Sequence, residues 1–158
     1  MSEKQLGEGI RNFVWNIVEI HSCLDAIHKT WAELLGISEP QWLILTAIDE
    51  LDKGDGVSGV DVSTRLRVHP AFVTTQTKSL EKSGLLTRMP SSTDARFVLM
   101  SLTPLARTEI AKLSGKRDTL NASMFSTLGA GALKDLNAKL DVIRKNAERA
   151  VRRLAADV

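Results

Sequence analysis

With 158 residues, 43% of them apolar and 25% charged, the chain is long enough for about one packed domain. Its apolar runs, such as Trp42–Leu45, fall far short of the ~18 residues a membrane span needs, and its polar N-terminus has no signal-peptide pattern. The formal net charge is +2, and the lone cysteine, Cys23, excludes an internal disulfide or a paired-cysteine zinc site and suits a cytoplasmic setting.

Ile10, Phe13, Val14, Ile17, Ile20, Leu24, Ile27, Trp31 and Leu34 recur at threes and fours, which predicts an amphipathic helix ending near Gly36. A helix of about seven turns exposes more apolar face than a small module covers, so part of it needs a partner chain or another long helix. Ser38 with Gln41 is a capping-box pattern and Pro40 suits an early helical position, so a second helix runs through Trp42, Leu45, Ile48 and Leu51. Lys53-Gly54-Asp55-Gly56 is a turn. Ser58 caps a short helix with Asp61 in its first turn and Val62 and Leu66 inward. Pro70 opens the next helix, which Gly84 ends. Two short helices so joined form a helix-turn-helix. Two strands are expected over 85–89 and 97–102, with the polar stretch 90–96 as a long hairpin, or wing. Thr103 and Pro104 restart helix as far as about Met124, and Gly129-Ala130-Gly131 breaks it. A last helix carries Leu133, Leu136, Leu140, Ile143, Ala147 and Val151 on one face. The fold class expected is mainly α, a winged helix-turn-helix with a two-stranded wing between long N- and C-terminal helices.

Charge is unevenly divided. Residues 1–56 hold 4 Lys and Arg against 10 Asp and Glu, residues 57–103 hold 6 against 3, and residues 104–158 hold 11 against 6. The basic surplus in the later two-thirds suits a polyanionic partner.

Asp94-Ala95-Arg96, followed by Leu102-Thr103, and the preceding Leu80-Glu81-Lys82-Ser83-Gly84-Leu85 together closely resemble the MarR family of bacterial regulators. Gln41-Trp42 and the leucines after it also look like that family's second helix. The sharp motifs cover about residues 68–103; the element order matches over nearly the whole chain. The resemblance implies a homodimer in which 1–36 and 104–158 are dimerisation helices and 37–103 is the DNA-binding module, all within a single domain over 1–158. It also implies a pseudo-palindromic DNA site, and a response in many members to small phenolic or aromatic acids and in some to oxidants or metals. This chain departs from many relatives in having Ala71 and Thr75 where Ser and Arg are common, and Ala95 in place of a second wing arginine.

A recognition helix packs one face on its module and offers the other to base edges. Val73, Thr77 and Leu80 are the expected packing set, leaving Ala71, Phe72, Thr74, Thr75, Gln76 and Lys78 as DNA-facing candidates. Arg96 is the expected minor-groove reader at the wing, oriented by Asp94. Arg65, Arg67, Lys82 and Arg88 are candidate phosphate contacts. Trp15, His21, His28 and Trp31, with Arg11 as a carboxylate clamp, could line a pocket for an aromatic acid. Ordinary helix–helix packing is the competing reading of those residues. Cys23 offers a redox-responsive alternative.

No metal site is expected, because His21 and His28 lie two turns apart, roughly 10.5 Å of rise. The chain has no Gly-rich phosphate loop, GxSxG or HExxH, so no catalytic site or resident cofactor is expected. The functional expectation is a ligand-responsive repressor that binds double-stranded promoter DNA; a winged-helix adaptor without DNA binding is the rival.

Overall fold

The computed structural model describes residues 2–91, 94 and 97–156. It divides into two compact units, Met1–Leu113 and Ser114–Val158. Helix α1 (Glu3–Leu34) begins in a capping box, where the Ser2 hydroxyl accepts from the Gln5 N–H and the Ser2 N–H donates 2.9 Å to Gln5 Oε1. It ends where Gly36 takes φ +67°, its N–H bonding the Glu33 carbonyl while Ile37 bonds Ala32. That pair of bonds closes the orphan carbonyls and needs a left-handed residue, which glycine supplies without a Cβ penalty. The expected end near Gly36 is thus observed, and the start lies one to two turns earlier than the apolar pattern reaches.

Helix α2 (Glu39–Leu51) follows with Ser38 N–H donating 3.0 Å to Gln41 Oε1, as the capping-box pattern predicts. Strand β1 (Val57–Ser58) leads into α3 (Gly59–Leu66), whose Ser58 cap accepts from Asp61 N–H at 3.1 Å. Helix α4 (Pro70–Lys82) closes at Gly84 in the same manner as α1, with Leu85 N–H reaching the Leu80 carbonyl. Strands β2 (Leu86–Pro90) and β3 (Val98–Leu102) pair antiparallel, Leu86 opposite Leu102 and Pro90 opposite Val98. The hairpin is therefore one residue displaced from the expected strand starts. β1 also pairs with β3, so the two-stranded wing hairpin gains a third strand in the order β1-β3-β2. A two-residue strand has no periodicity to read, and only its long-range partner makes it a strand.

Helix α5 (Pro104–Met124) is capped by Thr103, whose hydroxyl accepts from Ala106 N–H at 3.1 Å and donates 2.8 Å to the Gly84 carbonyl. The core of the first unit gathers Trp42, Ile44, Leu45 and Ile48 from α2, Val62 from α3, Val73, Thr77 and Leu80 from α4, and Leu86, Met100 and Leu102 from the sheet. Trp31 and Ala32 join it from α1, and Ala106, Ile110 and Leu113 from α5. The second unit holds α6 (Ala130–Ala156), which buries no described side chain; Val142, Val151 and Leu154 stay exposed. On its polar face Lys145 and Arg144 hold the Asp141 carboxyl down at about 2.

Asp52 ties the turn after α2 to α5. One carboxylate oxygen accepts from Gly54 N–H at 2.8 Å and Gly56 N–H at 3.0 Å, and the other lies 3.6 Å from Arg107 Nη2. The Asp52 side chain is only 3% exposed. Burial pushes its carboxyl up, but the two backbone N–H groups, the Ser101 hydroxyl and Arg107 together outweigh burial and hold it below its ordinary 3.8. The folded carboxyl is thus the stronger acid, so its contribution is intact above the unfolded value and lost as pH falls through the folded one. Asp52→Ala should cost about 2 kcal/mol at neutral pH. Urea melts of both proteins should show the gap narrowing as pH drops through the acidic carboxylate range.

Candidate nucleic-acid interface

The turn between α3 and α4 is sharp. Arg67 sits in the left-handed region at φ 56°, the one non-glycine residue to do so among those described, and Val68 N–H returns to the Ser63 carbonyl. His69 then caps α4: its Nδ1 accepts from Ala71 N–H at 3.2 Å, and its carbonyl takes the N–H groups of Phe72 and Val73. Pro70 has no N–H to offer. The first donors of α4 are therefore already used by His69, and an anion there meets the helix dipole rather than open N–H groups. Histidine is not among the preferred capping residues, so its residue type does not signal this role.

Val73, Thr77 and Leu80 face inward, as their spacing predicts. On the outer side Ala71, Phe72, Thr74, Thr75 and Lys78 are exposed and Gln76 is half-buried. The Thr74 hydroxyl donates 3.1 Å to the Pro70 carbonyl and the Thr75 hydroxyl donates 3.1 Å to the Ala71 carbonyl. With their protons turned back on the helix, these threonines offer methyls and acceptor lone pairs outward. A surface of Ala and Thr methyls with one lysine suits thymine methyls and a phosphate.

Asp94 is half-buried near the hairpin tip, its carbonyl accepting from Phe97 N–H at 2.9 Å. Arg96, the candidate wing reader, lies outside the described residues. The remaining candidate arginines differ in availability. Arg65 makes a bidentate pair with Glu50, with contacts of 2.9 and 2.7 Å from Nη2. Arg67 is exposed at the turn. Arg88 is turned inward, 16% exposed and 3.5 Å from Glu81. It lines a cavity of about 280 Å³ between α4 and the hairpin, together with Val73, Thr77, Phe97 and Met100. A phosphate contact from Arg88 would require it to leave that cavity.

The five residues expected at an effector pocket are strung along α1. Trp31 is buried, His28 half-buried, and Arg11, Trp15 and His21 exposed. Neither the cavity beneath the hairpin nor a second one of about 350 Å³ beside α3 is lined by any of the five. His28 instead meets Asp25 and Glu39, the donor atoms of all three lying within 4.8 Å of one another. Spacing along α1 could not reveal this group, because Glu39 comes from the start of α2. The Cys23 thiol is exposed.

Residues 37–98 match the family model described as the MarR family. Among solved structures, AbsC from Streptomyces coelicolor aligns with TM-score 0.75 at 17% identity, over 94% of this chain and 97% of its own. BldR from Sulfolobus solfataricus gives 0.70 at 22% identity, over 92% and 99%. The DNA complex of MepR from S. aureus gives 0.73 at 16%, over 85% and 96%. At these identities the likeness is one of fold. No curated protein matches the chain.

The Arg88 Nε is buried with no hydrogen-bond partner among the described residues. Its guanidinium is thus desolvated against one long ion pair, an arrangement that an apolar residue of similar length can replace without loss. Arg88→Met should leave the unfolding free energy unchanged or raise it by about 1 kcal/mol in urea melts.

Proposed function

We propose that this chain, whose residues 37–98 match the MarR family model, is a sequence-specific DNA-binding transcriptional regulator working as a cytoplasmic homodimer. The observation that carries the reading is α4, a helix locked to the core by one buried stripe while its opposite face stays exposed. A solved structure of similar fold, MepR, is a complex with DNA. Such a protein acts by binding rather than by catalysis.

In this reading the outer residues of α4 enter the major groove. Ala71 and the threonine methyls touch thymine, and Lys78 meets a phosphate. Arg96, oriented by Asp94, enters the minor groove, where A·T tracts focus negative potential. The exposed apolar residues of α1, including Ile10 at 56% and Val14 at 52%, are surfaces for a second copy. Pairing two modules on a pseudo-palindrome requires their recognition helices to stand about 34 Å apart. Competition for promoter DNA makes repression the proposed outcome. A small phenolic or aromatic acid that favours one dimer shape would release both half-sites together.

Binding to a site selected from random duplexes should fall steeply with salt. Lys78→Ala should reduce the slope of log affinity against log salt by about one. Arg96→Ala should weaken binding about ten-fold or more, with the loss concentrated on A·T-flanked sites. Fluorescence anisotropy across a salt series checks both outcomes. An Arg96→Ala protein that binds as wild type, with a flat salt response, would favour the adaptor reading.

A further inference from the structure

We infer that Asp25, His28 and Glu39 form a site for a zinc-like divalent transition metal, clamping α1 to the first turn of α2. This site stands apart from the DNA-facing surface and does not depend on it. Asp25 and His28 are one helical turn apart on α1, so both project to the same side, and Glu39 is the first residue of α2. One imidazole and two carboxylates is a nitrogen–oxygen donor set suited to zinc and its first-row neighbours, and three protein ligands leave a position open to solvent.

The geometry is close to what such an ion needs. Donor atoms bonded tetrahedrally at about 2.1 Å stand roughly 3.4 Å from each other. The present spread of up to 4.8 Å exceeds that by little more than an ångström, a distance on the scale of a side-chain rotation. All three residues are half-buried, which limits hydration of the carboxylates without dehydrating them fully. Among the described residues no Lys or Arg forms an ion pair with Asp25 or Glu39; the one recorded partner is His21, whose Nδ1 lies 3.4 Å from Asp25 Oδ1. That imidazole, one turn before Asp25, is placed to orient the carboxylate from outside the first ring of ligands. The positive end of α2 lies close by, but its charge of about +0.5 is outweighed by two carboxylates.

An ion here would couple folding to metal binding, since the ligands come from two helices whose relation it fixes. The test uses the full chain after chelator treatment and dialysis. Zinc titrated in competition with a chromophoric chelator should bind at one ion per chain and raise the thermal midpoint. Cobalt should bind with the intense visible absorption of a tetrahedral nitrogen–oxygen site. Glu39→Gln and His28→Ala should each weaken zinc about 10-fold or more, and His21→Ala about 10-fold. Cys23→Ser should bind like the wild type. Glu39→Gln keeps an uncharged isostere at a half-buried helix start, so circular dichroism of that variant should match the wild type. Absence of zinc competition, undiminished binding in both ligand variants, or equal binding of magnesium and calcium would each overturn the site. None of these readouts involves DNA, so their failure leaves the regulatory reading untouched.

Discussion

The proposed recognition surface depends on the rotational setting of α4 about its own axis. Three side chains fix it: Val73, Thr77 and Leu80, each 1% exposed or less. Burying Val73 and Leu80 contributes about 1.5–3 kcal/mol each, and Thr77 satisfies its hydroxyl on the Thr74 carbonyl, so the stripe costs no unpaired polar group. Turning the helix by one residue, roughly 100°, would bury Thr74, Lys78 and Glu81 in place of Val73, Thr77 and Leu80. The outer face therefore follows from the inner one. Ala71, Thr75 and Lys78 need no interaction of their own to be held outward.

The rest of the first unit serves that setting. α2 supplies Trp42, Leu45 and Ile48 as the floor on which α3 and α4 lie, and the sheet closes the far side with Met100 and Leu102. Gly56 sits where a Cβ would come 3.1 Å from the Leu99 Cβ, so glycine lets β1 reach β3. Asp52 and Thr103 then join the turn after α2 and the end of the hairpin to α5, linking the module to the long helix that follows it.

Much of this organisation was legible from the chain because several helices carry their own start or stop chemistry. Ser38, Ser58 and Thr103 open helices and Gly36 and Gly84 end them as their types predict, whereas the Ser2 cap of α1 lies ahead of the apolar pattern that marks that helix. The inner face of α4 was legible for the same reason, since a three- and four-residue apolar spacing is a local property. What the sequence hid is whatever depends on residues distant in the chain. β1 exists only because Met100 lies opposite Val57, Arg88 is turned inward by its cavity and Glu81, and Glu39 meets His28 across a helix junction. The role of His69 was hidden differently: it lies beside the helix it caps, but histidine is not a residue that advertises a cap.

The charge division gives the molecule a direction. An acidic first third and a basic remainder mean that a polyanion is drawn to the later segments and repelled from most of α1. In the proposed function the outward face of α4 reads duplex DNA, twice per particle. Hydroxyl-radical and methylation footprinting on a selected duplex decides this. Two protected major-groove patches about one helical turn apart are expected, each lost when Thr75 and Lys78 are replaced together by glutamate. A monomeric protein that leaves every duplex unprotected at low ionic strength, or a footprint unchanged by that replacement, would contradict it.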